Sequence, residues 1–180
     1  MLHRDIPWGE HHHASGAENP LRRRRQPLPG NRRHADLPYD ALEDALEWVS
    51  SLPPFQHAAY ISKTTGQVFY DSAHGDAVDK LPDDYEDAGL YWTVPHKNEL
   101  DLGSRLAHRF AEERAPQYQQ DVVDIFGREG AYARFKALLE RLGLLETWCE
   151  FEREATQAAL LAWAEEQGMS VEGRGAPGGA

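Results

Sequence analysis

The chain has 180 residues, 41% of them apolar, and a formal net charge of −11 at pH 7. It can bury a sizeable core, but no apolar run is long enough to span a bilayer, so the sequence predicts no membrane association. The single cysteine cannot form an internal disulfide and the N-terminus lacks the apolar segment of a secretory signal, which favours a cytoplasmic location.

Charge is distributed unevenly along the chain. Residues 1–36 hold seven arginines and four acidic residues, a net charge of +3, whereas residues 37–168 hold 11 basic and 25 acidic residues, a net charge of −14. Residues 37–168, the body of the protein, are acidic enough to repel phosphate backbones and to favour a basic or neutral partner.

Residues 1–36 read as a disordered arm rich in arginine, histidine and proline, because they show no apolar periodicity. This arm contains a histidine run at 11–13 and an arginine run. The arginine run could contact nucleic acid or an acidic surface, including the protein's own body; it consists of Arg22, Arg23, Arg24 and Arg25.

The first regular elements are a helix and a hairpin. Apolar residues from Tyr39 to Val49 recur with helical spacing, and Asp36 is the expected cap. Two runs rich in β-branched and aromatic residues, at 57–62 and 67–72, flank a short turn that ends in glycine, which is typical of a β-hairpin. An acidic connection at 72–89 leads to a third predicted strand at 90–94.

Helices fill the remainder of the predicted domain. Asn98 is the expected cap of the next helix, and Pro116 opens a short one that ends at Phe126. Two long helices follow at 130–143 and 144–168, and the tail from 169 to 180 is expected to be flexible. Their apolar stripes are predicted to face the core and comprise Tyr132, Phe135, Leu139 and Leu142 in the first, and Leu144, Trp148, Phe151, Ala155, Ala158 and Ala162 in the second.

This order of elements predicts the α+β class. Strands followed by a run of helices indicate a small three-stranded antiparallel sheet packed against a bundle of about five helices. We expect one domain over residues 37–168, with the arm and the tail outside it.

One stretch resembles a known bacterial group. The string Gly-Ala-Tyr-Ala-Arg-Phe-Lys at 130–136, followed by Leu-Gly at 142–143 and by Trp148, Phe151 and Trp163, is similar to uncharacterised protein family number 0158 of the UPF series. Tyr132 stands where that family usually has phenylalanine. The resemblance covers roughly 37–168 and implies a compact cytosolic domain, but no catalytic residue.

The best candidate contact surface surrounds the predicted helix start at Gly130. Arg128, Arg134 and Lys136 cluster there, and glycine lets a backbone approach an anion closely. Two interpretations remain open: the cluster pairs with acidic residues of the chain such as Glu129 or Glu140, or it contacts an external anion or a partner's carboxylate.

Other candidates are weaker. His108 and Glu112 lie four residues apart on one helix, which favours a surface pair over a metal site because further ligands are not apparent. Cys149 is expected to be a small packed residue. We therefore predict no metal, no cofactor and no catalytic residue.

Three functions stay open at this point. The first is a non-catalytic binding or regulatory protein whose acidic surface meets a protein partner. The alternative is a nucleic-acid-binding protein that uses the arginine run and the cluster at 128–136, and the third is a metal-dependent hydrolase.

Overall fold

A computed structural model describes residues 34–54, 56–73 and 80–173. Of the arm predicted over residues 1–36, residues 1–33 with the arginine run lie outside these ranges, as do residues 174–180. The end of the predicted arm is corrected, because Asp36 belongs to a strand and the backbone N–H of Ala35 donates a hydrogen bond to the carbonyl of Lys63 at 3.1 Å. The described elements are β1 (Asp36–Pro38), α1 (Tyr39–Ser50), β2 (His57–Ser62), β3 (Val68–Ser72), β4 (Tyr91–Thr93), α2 (Ser104–Arg114), a 3₁₀ turn (Pro116–Tyr118), α3 (Gln119–Phe126), α4 (Ala131–Leu142), α5 (Leu145–Glu166) and β5 (Ser170–Glu172).

The α+β prediction is confirmed. The described part of the chain contains five α-helices and an antiparallel sheet of three strands in the order β3-β2-β4. The predicted hairpin corresponds to β2 and β3, and the predicted third strand, β4, pairs with the other edge of β2. Tyr60 of β2 therefore lies opposite both Phe69 and Thr93.

Helix α1 covers one face of this sheet. Because side chains alternate along a strand, Ala59 and Ile61 of β2 share a face, and both are fully buried. Leu42 and Val49 of α1 are buried in the same core, as is Trp92 of β4. The apolar face predicted for α1 therefore supplies the cover that the sheet requires.

An aromatic cluster joins the other helices. Phe110 of α2, Phe135 of α4 and Trp148 of α5 are each at least 98% buried, and the ring centroid of Trp148 lies 5.3 Å from that of Phe110 and 4.9 Å from that of Phe135. The predicted burial of Trp148 is confirmed.

The two ends of the described chain pair with each other. Strand β1 runs parallel to β5, with Leu37 opposite Val171, and both Leu37 and Met169 are buried. Residues 169–173, assigned from composition to the flexible tail, thus belong to the fold. Asp36 lies in β1 and is not the cap of α1; Pro38 precedes that helix without a side-chain cap.

The predicted start of the next helix is also wrong. Helix α2 begins at Ser104, not after Asn98. Residues before it form a tight turn in which Glu99 accepts a hydrogen bond from the backbone N–H of His96 at 2.9 Å. Asp101 has a φ of +57°, a left-handed conformation that interrupts a right-handed helix.

The apolar stripes of the long helices need correction as well. On α5, Ala158 and Ala162 are exposed, whereas Leu160 and Ala164 are buried. The first half of α5 packs on the aromatic cluster and its end packs toward β5, so the buried face shifts along the helix. On α4, Tyr132 is 41% exposed.

In the part of the chain that the structure covers, no helix is long and apolar enough to cross a membrane.

Candidate functional site

Helices α3 and α4 form a groove of about 420 Å³ that brings arginines together. Arg128 lies in the connection between the helices and Arg134 in the first turn of α4. Gly130 has a φ of +69°, which glycine adopts without the strain of a Cβ. This left-handed residue lets the chain change direction between α3 and α4. Two of the predicted contact residues therefore face one groove, and Gly130 shapes the turn that places them there.

A third arginine of the groove was missed in the sequence. Arg141 lies seven residues, close to two turns, after Arg134, so both project from the same side of α4. Ala137 and Leu138, between them, complete this wall. The seven-residue spacing was the signal that could have identified Arg141.

Lys136 does not line this groove. It is exposed on α4, two residues from Arg134, and residues two apart on a helix point to different sides. The sequence cluster therefore divides into a groove and a separate surface lysine.

The groove also contains acidic side chains. Asp121 and Asp124 of α3 line it, and Asp124 accepts a hydrogen bond from the side-chain amide of Gln120 at 2.9 Å. The groove therefore carries charges of both signs, with the aspartates on α3 and the arginines on the connection and on α4.

No ion pair to a described residue holds the guanidinium groups of the groove. Within 34–54, 56–73 and 80–173, the ion pairs closer than 4.0 Å are Arg105–Asp101, Arg109–Glu113 and Arg153–Glu150. None involves an arginine of the groove, and pairing with Glu129 or Glu140 is not seen in this part of the chain. Arg128, Arg134 and Arg141 are all exposed.

His108 and Glu112 do not form the predicted pair. The ring of His108 lies beside that of Phe126, with centroids 5.4 Å apart, and Glu112 is exposed. Among the residues that the structure covers, no three histidine, cysteine or acidic side chains are grouped so that they could hold a metal ion.

Cys149 is exposed, which corrects the prediction that it is packed. Its neighbour Trp148 occupies the buried face of α5, and the next residue of a helix points about 100° away from it.

A serine and a histidine meet at the end of α1. Ser51 Oγ lies 2.9 Å from His57 Nδ1, a distance that a nucleophile and its base would have. The carbonyl oxygen of Trp48, however, lies 3.1 Å from the same nitrogen and 2.7 Å from Ser51 Oγ. A carbonyl can only accept, so we assign the proton to Nδ1.

That assignment decides what the pair does. A protonated Nδ1 donates a hydrogen bond and cannot remove a proton from Ser51. Both side chains instead contact the carbonyl of Trp48 in the last turn of α1, which also accepts the backbone N–H of Ser51 at 3.2 Å. The pair closes a helix end.

No protein-family model, curated protein or solved structure matches the chain. The resemblance to family 0158 of the UPF series therefore stays a prediction.

Proposed function

We propose that this protein is a small, cytoplasmic, non-catalytic binding module, and that a protein partner binds in the groove between α3 and α4. The observation that carries the proposal is the set of three guanidinium groups that share this groove without an ion pair to the described residues, those of Arg128, Arg134 and Arg141. Guanidinium groups bind carboxylates through two parallel hydrogen bonds, so an acidic side chain of a partner suits them.

The acidic residues of the groove favour a protein over a nucleic acid. Every phosphate of a nucleic-acid backbone is negative, and Asp121 and Asp124 would repel it. A polypeptide can place an acidic residue against the arginines and a basic or polar residue against the aspartates. The strongly acidic body adds to the same preference.

The arrangement of Ser51 and His57 supports a binding role rather than hydrolysis. Their hydrogen bonds are used at the end of α1, and the tautomer they require leaves no base for Ser51. Among the described residues, no group of three histidine, cysteine or acidic side chains could hold the metal ion that the metal-dependent hydrolase interpretation requires.

The proposal is tested by affinity capture from cells that make the protein, with and without nuclease treatment. We expect wild-type protein to retain the same partner after nuclease, and the triple variant R128Q/R134Q/R141Q to lose it. Lys136→Gln is the matched control, because Lys136 is an exposed cation of α4 outside the groove. Each substitution is on the surface and should change the free energy of unfolding by no more than about 0.5 kcal/mol.

Two results would overturn the proposal. Loss of all captured material on nuclease treatment would identify a nucleic-acid-binding protein. Full capture by the folded triple variant, as judged from an unchanged melting temperature, would show that the groove does not contact the partner.

A further inference from the structure

A second pocket, of about 510 Å³, lies where α1 meets the β3 edge of the sheet. Its lining comes from α1 and the residue after it, Asp44, Glu47, Trp48 and Ser51, and from Tyr70 of β3. The α1 positions follow the spacing i, i+3, i+4 and i+7, so they form one stripe along the helix. None of these residues lines the groove between α3 and α4.

Two aromatic rings form a corner in this pocket. The centroids of Trp48 and Tyr70 are 5.6 Å apart and their planes meet at 71°. Both side chains are only partly buried, so their rings remain accessible from the pocket. An aromatic ring has an electron-rich face and a weakly positive edge, so a corner of this kind can present a ring face to a cation that enters between the rings.

The indole of Trp48 is held in one orientation. Its N–H donates a hydrogen bond to the backbone carbonyl of Asp71 at 3.2 Å. On one face the imidazole of His57 stacks on it, with centroids 4.2 Å apart and planes 5° from parallel. His57 does not line the pocket, which therefore opens against the part of the indole that the imidazole leaves uncovered.

Two carboxylates stand at the mouth of this corner. Asp44 and Glu47 are exposed, and neither has an ion pair or side-chain hydrogen bond to any residue that the structure describes. Among the residues that the structure describes, no lysine or arginine lines the pocket. The electron-rich indole of Trp48 next to two negative charges attracts a cation, and none of the described lysines and arginines lies over this ring.

We propose that this pocket binds an arginine side chain on a basic segment of a partner protein. A guanidinium is planar, so it can stack on the indole of Trp48 while its edge donates hydrogen bonds to Asp44 or Glu47. A lysine ammonium has no plane to stack and binds as a point charge. The net charge of −14 on residues 37–168 draws a basic segment toward the body.

This site is independent of the groove between α3 and α4. The two share no lining residue, so failure of one proposal leaves the other unaffected.

The test is titration of the full chain with a short glycine- and serine-rich peptide that contains one arginine. Matched peptides carry citrulline, which has the shape of arginine without its charge, or lysine. Binding is followed by calorimetry and by the indole N–H resonance of Trp48, assigned from its disappearance in Trp48→Phe. We expect the arginine peptide to shift this resonance. The affinity of the citrulline peptide should be lower than that of the arginine peptide by a factor of about ten or more.

Charge variants separate the pocket from the general acidity of the body. D44N/E47Q changes only exposed side chains, and we expect it to weaken binding of the arginine peptide by about tenfold. E165Q/E166Q removes the same number of charges from exposed positions at the end of α5 and should bind as the wild type does. Trp48→Leu should abolish the interaction, and circular dichroism verifies its fold.

Several outcomes would overturn the proposal. Equal affinity for the citrulline peptide would show that charge plays no part, and equal affinity for the lysine peptide would refute the preference for a planar cation. An unmoved Trp48 resonance would place the contact elsewhere. Equal weakening in E165Q/E166Q would show that the peptide senses only net charge.

Discussion

The ring of Phe135 meets the indole of Trp148 edge-on, with centroids 4.9 Å apart and planes at 88°. This contact joins α4 to α5 in the middle of the aromatic cluster. Trp148 is 2% exposed, so its removal leaves a cavity that the surrounding rings cannot fill.

Trp148→Ala should therefore lower the free energy of unfolding by about 3–5 kcal/mol. Cys149→Ala is the matched control, since it changes the next residue of the same helix at an exposed position and should have an effect below about 0.5 kcal/mol. Denaturant unfolding followed by circular dichroism measures both. Similar midpoints for the two variants would contradict the central position of Trp148.

The glycine that ends α4 should be sensitive to substitution for a reason of backbone geometry. Gly143 has a φ of +68°, and the N–H of Leu144 donates to the carbonyl of Leu139 at 2.8 Å to close the helix. No atom would obstruct an added Cβ, so Gly143→Ala should cost only conformational strain, about 1–2 kcal/mol.

Gly127→Ala serves as the comparison for that variant. Gly127 ends α3 with an ordinary φ of −76°, and an added Cβ would meet only contacts of 3.7 Å. It should be neutral or stabilise by up to about 1 kcal/mol, because alanine restricts the unfolded chain. Equal losses at both positions would exclude the sign of φ as the cause.

Tyr60 should make the protein sensitive to alkaline pH. Burial raises the pKa of Tyr60 above 10.0, and Tyr85, Asp71 and Glu86 raise this pKa further because a phenolate would lie among acidic groups. The folded state thus keeps the phenol proton to a higher pH than the unfolded state does. The resulting stabilisation is complete below pH 10 and is lost as the pH rises through the folded pKa.

Tyr60→Phe should consequently lose stability less steeply than the wild type above pH 10. Asp71→Asn should lower the midpoint at which the phenolate of Tyr60 forms, as followed by ultraviolet absorbance. The same alkaline slope in Tyr60→Phe as in the wild type would disprove this contribution.

The C-terminal strand should be required for full stability. A chain ending at Gly168 lacks the buried Met169 and the pairing of Val171 with Leu37. Burial of one methionine side chain alone is worth about 1.5–3 kcal/mol, so this truncation should lower the thermal midpoint by several degrees. A chain ending at Gly173 is the reference, and equal midpoints would mean that β5 contributes nothing.

Periodicity in the sequence was sufficient for the elements that bury a long apolar face. The hairpin and helix α1 follow from it, as does the burial of Trp148. Strand β5 did not, because three residues with one apolar side chain, Val171, carry no readable period.

Only part of the candidate site could be predicted from the sequence. Arg128 and Arg134 lie close together in sequence, near the predicted start of a helix. Arg141 lies at the other end of α4 and joins them only because the helical repeat places it on the same side as Arg134. The corner of Trp48 and Tyr70 joins residues of a helix and a strand that are distant in sequence. Its formation depends on how α1 packs on β3, which no local pattern specifies.

The parallel pairing of β1 with β5 also bears on how the chain folds during synthesis. Residues near the start of the body, such as Leu37, find their partner only near its end, at Val171. Contacts so distant in sequence close late, since the loss of chain entropy precedes the gain from pairing. On the ribosome, the sheet and the first helices emerge long before β5 does. The pairing of β1 with β5 can therefore form only after residues 170–172 have been synthesised.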